Sequence, residues 1–336
     1  MMGRRFNLST LALAAAQALL IALPFAAKAL DDSFLLAFAA RVLVYAIAAS
    51  ALNIALGLGG MVSLGHALFL GLGMYSVALP AHFGIDSGWV HLAIAVASCA
   101  AVGSLTGGIS LRITGMGFIM ITLAFAQMGY FAVVSLKQFG GDDGLAVAAS
   151  SRFFGWGIGS PTAVYAGALV LLVFLLLWTA RLRHAPFGMA LRAGRQSPRR
   201  VASLGIALQR VQLQAYVASA VFTGLAGMLL ANLNSYASPS TMSWLISGEL
   251  IVMVVVGGVG SVLGPAIGAL LFLGAEELLK AATEHWMAVF GLVIVGVAMV
   301  GRSGVAGWLR RKSKSRAHEA PTAAPIIAPA SKTGAA

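Results

Sequence analysis

The sequence predicts an all-α, polytopic membrane protein of about ten transmembrane helices with both termini on the cytoplasmic side. Three observations carry that reading. Of 336 residues, 60% are hydrophobic and 10% are charged, a balance that no soluble domain keeps. The apolar residues are gathered into runs of roughly 20, the length a helix needs to cross a hydrocarbon core of about 30 Å. The few charges are also segregated by sign along the chain, and in a bilayer the position of basic residues sets orientation.

The runs fall at 8–30, 34–56, 61–81, 90–111, 114–136, 161–180, 211–231, 244–262, 265–280 and 286–301. Neighbouring runs are separated at 57–60 and 257–264 by glycine-rich stretches rather than charges, which makes a broken or re-entrant helix an option at both. The first run begins after Arg4-Arg5 and ends near Ala27-Lys28-Ala29, a pattern shared with cleaved secretory signals. Its apolar stretch from Leu8 to Ala27 exceeds the roughly 7–15 residues of a signal core, so a retained first span is expected. With the N-terminus in the cytoplasm, 17 of the 22 basic residues fall inside, and Glu319 is the only acid there. Asp31, Asp32, Asp86, Asp142, Asp143, Glu276, Glu277 and Glu284 fall on the other side. An even number of spans agrees with both termini being inside. The six tryptophans, at 89, 156, 178, 244, 286 and 308, lie close to span ends, where an amphipathic ring prefers to sit. The chain divides into a membrane domain, 1–309, and a basic cluster with a disordered cytoplasmic tail, 310–336; the cluster is suited to anionic lipid headgroups.

Several chemistries are excluded. A net charge of +12 is spread over chain ends and loops, which leaves no solvated basic face for nucleic acid. The single Cys99 rules out an internal disulfide or a multi-cysteine metal site. No G-x-S-x-G, no H-E-x-x-H and no G-x-x-x-x-G-K-[ST] occurs, so no catalytic residue, no metal site and no phosphate-cradling loop is expected in this chain. The polar groups within spans are Asn53, His66, Gln127 and Glu249. Ion-coupled carriers place acids near the bilayer midplane, whereas Glu249 lies only about 9 Å from its span end at 1.5 Å per residue.

The longest cytoplasmic segment, 181–210, holds six arginines before Arg210 and no acid. Pro186 reads as a helix start and Gly205 as a helix end, while Pro198 interrupts any single helix over 188–204. The result is either a short helix lying along the membrane surface or a basic loop that only sets topology.

The pattern His184-x-Pro-Phe-Gly-x-Ala-Leu-Arg-Ala, followed by Ala202-Ser-Leu-Gly-Ile, resembles the coupling loop of permeases of branched-chain amino acid ABC importers. Leu64-Gly-His-Ala-Leu-Phe, Thr122-Leu-Ala-Phe, Gly224-Leu-Ala-Gly-Met, Ser238-Pro239 and Gly257-Gly-Val-Gly-Ser-Val-Leu-Gly-Pro-Ala-Ile-Gly match in order and spacing. Gly140-Gly-Asp-Asp-Gly-Leu is similar to the outer loop of the larger, LivM-type subunit. The resemblance runs from about residue 41 to 300. One departure is local: family members carry acidic residues where this chain has Gln196-Ser-Pro-Arg-Arg200, which alters the charge pairing expected with an ATPase.

The resemblance implies an inner-membrane subunit without enzymatic chemistry of its own. It implies a second homologous permease, two cytoplasmic ATPases that hold the ATP and magnesium, and a periplasmic binding protein as partners. Phe187, Gly188, Ala190, Arg192, Ala202 and Gly205 would form the coupling loop. From the residues themselves, His66 either lines a pore or bonds a freed carbonyl. Gln127 is placed on the translocation path. Glu249 either holds a substrate ammonium or pairs with Arg41, and Asn232 and Asn234 are expected in the outer loop, solvated. Gly224, Gly227, Gly257, Gly258, Gly260 and Gly264 are read as helix-packing positions. Gly59-Gly60-x-x-Ser63-x-Gly65 and Gly257-Gly258-x-x-Ser261-x-x-Gly264 read as an internal repeat. A stand-alone ion-coupled transporter is the alternative from another class.

Overall fold

The computed structural model describes residues 33–282 together with 285, 287–292 and 295. The expected first span, most of the expected last span and the tail lie outside the described residues. Ten helices are described in full: α1 Ser33–Asn53, α2 His66–His82, α3 Gly88–Ser110, α4 Met116–Ser135, α5 Pro161–His184, α6 Pro186–Gln196, α7 Pro198–Ser203, α8 Leu208–Asn234, α9 Trp244–Gly257 and α10 Gly264–Ala282. Two ribbons of two-residue strands complete the fold. The strand Leu145–Ala146 pairs antiparallel with Tyr236–Ala237, and Arg152–Phe153 pairs with Trp156–Gly157.

Among the described residues, five elements are long and apolar enough to cross a membrane: Phe34–Leu58, α3, α4, α5 and α8. The segment Phe34–Leu58 is 72% buried inside the protein, against 17% for α4, so α1 is the core helix and α4 a peripheral one. α1 packs against α5, α8 and α10, and α8 packs against α2 and α3. At 27 residues, α8 is about 40 Å long at 1.5 Å per residue, so its termini mark two separate ends of the molecule. The Leu208 end carries α6, α7 and the turns at 59–65 and 258–263. The Asn232 end carries the 136–160 segment and its ribbons.

Two of the expected spans are shorter than the sequence predicts. The run at 61–81 becomes helical only at His66, and the run at 244–262 ends at Gly257. With 17 and 14 residues, α2 and α9 rise only about 25 and 21 Å. The cause is the pair of glycine-rich stretches. α1 loosens into a π-helical turn, Ile54–Leu58, and the chain then turns back through Gly60 at φ 71°; on the other side Gly258 and Gly260 take φ of 114° and 77°. Side chains with a Cβ rarely adopt such values, so the helix ends there.

Glycine sets the close approach of α2 to α8. A Cβ at Gly73 would fall on the carbonyl of Gly224, and one at Gly227 on the carbonyl of Leu70. Lipid offers no hydrophobic drive between helices, so such backbone contact is how they hold together. Gly257 and Gly264 likewise abut one another in the α9–α10 hairpin. Gly258 and Gly260 lie in the turn rather than in a helix, and Gly260 packs from that turn against the backbone of Gly57 in the π-helical end of α1. Asn234 is exposed, but Asn232 is buried at 2% exposure, because α8 runs one turn further than its apolar run.

Placing a Cβ at these contacts forces backbones apart. Gly227→Val and Gly264→Leu should each cost about 1–3 kcal/mol, the usual range for overpacking, read as a lower melting temperature in detergent and less protein in the membrane. Gly248→Ala, where nothing lies within 4 Å of the new atom, should leave both unchanged. Normal accumulation of Gly227→Val would contradict the α2–α8 contact.

Candidate functional site

The segment joining α5 to α8 folds as two short helices because each begins on a proline. Pro186 and Pro198 both occupy first-turn positions, where the missing N–H has no intrahelical partner to lose. Ser197 between them is non-helical, at φ −152° and ψ 88°. α6 is amphipathic. Gly188, Leu191 and Gly194 are buried, three residues apart along one face. Met189, Ala193 and Gln196 are exposed on the other. Beyond α6, Arg199, Arg200, Ala202, Leu204 and Ile206 are also exposed.

The buried face is consumed within the chain. A Cβ on Gly188 would overlap the carbonyl of Leu182, and one on Gly194 would meet the side chain of Leu208. Phe187 packs partly buried against the core and Ala190 is half-buried. The guanidinium of Arg192 donates to the carbonyl of Arg183 at 2.8 Å and to that of Gly188 at 3.4 Å. It thereby ties α6 to the carbonyl end of α5, where a cation is favourable. The exposed arginines of the segment are Arg195, Arg199 and Arg200 instead. Gly205, at φ 76° with open space around it, ends α7 as the sequence predicts.

α6 is seated on the two glycine-rich turns. Leu191 lies against Gly59, and the aliphatic part of Arg195 covers Gly60. The Arg195 guanidinium donates to the carbonyl of Gly57 in the π-helical turn. Gly57 in turn touches the other turn, since its Cβ would stand 2.7 Å from the backbone N of Gly260. Asn53 locks the crossing: its Nδ2 donates to the carbonyl of Ser261 at 2.8 Å, and its Oδ1 accepts from the N–H of Gly260 at 2.9 Å. The serines of the repeated motif do similar work. Ser63 Oγ accepts from Gly65 N–H at 3.1 Å, and Ser261 Oγ accepts from Gly264 N–H at 2.9 Å, each near the start of the next helix.

The polar residues of the spans make separate contacts. His66 is fully buried at the start of α2, with its Nε2 2.8 Å from Ser219 Oγ. That hydroxyl gives its only hydrogen to the carbonyl of Ala51 at 2.6 Å, so His66 Nε2 carries the proton and Nδ1 has no partner. Ser247 Oγ of α9 accepts from Ala67 N–H at 2.9 Å. Gln127 is half-buried on α4 and Glu249 half-buried on α9. Among the described residues no hydrogen bond or ion pair joins His66, Gln127 and Glu249, nor Glu249 to Arg41, whose guanidinium stands 6.0 Å from the ring of Tyr45. No group of three or more His, Cys, Asp or Glu suited to a metal ion occurs among them.

A second polar cluster closes the opposite end. His91 Nε2 donates to the carbonyl of Ile85 at 2.9 Å while Nδ1 accepts from Ser151 Oγ at 2.8 Å. Asn232 Nδ2 donates to that hydroxyl at 3.0 Å, and Asn232 Oδ1 accepts from Ser151 N–H at 2.8 Å. Asn232, Ser219 and Ser247 are buried polar residues that join separate elements, a role that sequence reasoning does not assign to them. A hydroxyl in an apolar run usually bonds its own helix, so only Asn232 carried a signal, as a lone amide at a span end.

The chain matches the model of the family described as "Branched-chain amino acid transport system / permease component" over residues 34–298. It is 30% identical over 277 residues to the high-affinity branched-chain amino acid transport system permease protein LivM of Escherichia coli strain K12, an alignment covering 75% of this chain and 65% of that protein. The chain thus spans just under two thirds of that relative's length. LivM of Salmonella typhimurium is 28% identical over 306 residues, covering 84% of this chain and 72% of the relative. LivH of Escherichia coli strain K12 is 27% identical over 286 residues, covering 78% and 91%. No solved structure matches the chain. With its broken spans, its glycine-packed helices and a family match covering most of its length, the chain belongs to the permease components of branched-chain amino acid transport systems.

Proposed function

We propose that the chain is one of two membrane subunits of an ABC importer that carries branched-chain amino acids, or closely related small amino acids and amides, across the inner membrane. In this reading the 1–309 domain makes ten spans with both termini in the cytoplasm, and residues 310–336 form a cytoplasmic tail. A LivH-like second permease completes the pore, two ATPases dock on the coupling loops of the pair, formed in this chain by α6 and α7, and a periplasmic binding protein delivers the substrate to the Asn232 end. Transport is alternating access, and this chain performs no covalent step. The family assignment speaks against a stand-alone ion-coupled carrier.

The observation that carries the reading is the form of the 186–207 segment. Its outward surface joins apolar Met189, Leu204 and Ile206, exposed at 51%, 75% and 37%, to the exposed Arg199 and Arg200. Exposed apolar side chains rimmed by charge, on an element that is firmly seated from behind, are suited to a protein partner. The charge distribution supports the orientation. Arginines from 181 to 210 gather at the Leu208 end, whereas Asp86, Asp142 and Asp143 lie with the segments of the Asn232 end.

Vesicles containing this chain, the second permease, both ATPases and the binding protein should take up labelled leucine when ATP is supplied, and should not with an ATPase variant unable to hydrolyse it. Uptake by the purified chain alone, driven by an ion gradient, would overturn the reading. In sealed cells an impermeant maleimide should label Asp142→Cys and leave Arg199→Cys unlabelled; labelling of Arg199→Cys would reverse the topology. Met189→Glu, which puts a charge into the centre of the docking surface, should weaken ATPase co-purification at least about tenfold, the scale of a lost interface contact of 1.4 kcal/mol or more.

A further inference from the structure

The coupling reading leaves open how movement of a surface helix reaches the spans. α6 could be a passive pedestal, joined to the core only by its chain ends. The contacts of Arg195 argue otherwise. Its guanidinium donates to the carbonyl of Gly57, an atom within the π-helical end of the core helix α1. π-Helical turns recur at sites of local rearrangement, because their bonding pattern is already displaced from the regular ladder. The same turn is crossed by the 258–263 turn through Asn53, which bonds Gly260 and Ser261 together. One arginine side chain therefore connects α6 at once to α1 and, through Asn53, to the α9–α10 hairpin.

The bond is also suited to bearing load. A guanidinium hydrogen bond to a carbonyl at a helix C-terminus is charge-assisted and favoured by the helix dipole. The stem of Arg195 lies flat over Gly60, where a side chain would displace it; a Cβ there would come within 2.8 Å of Arg195 Cγ. Leu191, one turn earlier, presses on Gly59. Arg192, in contrast, spends its donors on α5 and its own helix, so it does not reach either turn.

We infer that Arg195 is the positioning residue through which displacement of α6 moves the paired glycine-rich turns, and with them α1 and the α9–α10 hairpin. This rests on the reading of α6 as the ATPase-docking helix. The inference differs from docking itself: Arg195 holds the inner side of the helix to the spans, whereas Met189 faces outward.

The test uses the complete importer in vesicles, measuring ATPase co-purification, ATP hydrolysis and leucine uptake per ATP. Arg195→Gln should keep the ATPases bound and hydrolysing while uptake per ATP falls at least about tenfold, the factor carried by one charge-assisted hydrogen bond. Arg195→Lys, which still offers a cationic donor to the Gly57 carbonyl, should restore a large part of that ratio, a rescue that a role in packing alone does not predict. Unchanged uptake per ATP in Arg195→Gln, or no recovery in Arg195→Lys, overturns the inference, as does release of the ATPases by Arg195→Gln. Retention of the ATPases by Met189→Glu would instead defeat the docking reading on which the inference stands.

Discussion

A backbone that leaves helical conformation inside a bilayer must find partners for every freed N–H and carbonyl, because hydrocarbon supplies none and each unpaired group costs several kcal/mol. The two breaks at 54–65 and 257–264 meet that constraint with side chains from elsewhere in the fold. Thr122 of α4 receives Leu64 N–H at 3.2 Å, Ser247 of α9 receives Ala67 N–H, and Asn53 of α1 serves both Gly260 and Ser261. Each break can exist only when the helices around it are already in place. The position of α2, α4 and α9 is thus a condition for the turns, and the turns are the seat of α6.

This arrangement explains the division between rigid and breakable parts. α1 and α8 are the most enclosed of the long helices, and α8 meets α2 backbone to backbone at Gly73, Gly224 and Gly227, so the separation of that pair is fixed by backbone contact. α2 is about one turn and α9 nearly two turns too short to span the core alone, and their first turns meet at the Ser247–Ala67 bond. A protein that must open alternately to two sides needs such places, where few hydrogen bonds hold a discontinuity and can be rearranged together. The opposite end is held by a different device, the His91–Ser151–Asn232 cluster, which anchors the 136–160 segment to α3 and α8.

The role of arginine differs across the eighteen residues from Arg183 to Arg200 in a way composition hides. Arg183 and Arg192 meet at the end of α5, the guanidinium of the second on the carbonyl of the first. Arg195 reaches the core helix, while Arg199 and Arg200 stay exposed. All count equally toward orientation in the membrane. Arg195, though exposed, reaches inward from α6, whereas Arg199 and Arg200 lie on α7 beyond the break at Ser197.

By itself the sequence determined the class of protein, the bounds of most of the described long helices to within about five residues, the helix start at Pro186, the interruption at Pro198 and the stop at Gly205. These follow from local rules: bilayer thickness, the fixed φ of proline and the left-handed conformations that glycine accepts. The glycines at 224 and 227 were legible as packing positions because helices in lipid approach closely through small residues. Tertiary structure decided what pairs with what. Gly260 read as a helix-packing position and packs from a turn against the end of α1, Arg192 read as part of the coupling loop and bonds the end of α5, and Asn232 read as solvated and is buried. The serines at 219 and 247 gave no signal. A hydroxyl or guanidinium has no sequence-local preference strong enough to name its partner. That choice is made by which helices the close-packed glycines bring together, and by the demand that no backbone polar group be left unpaired in the membrane.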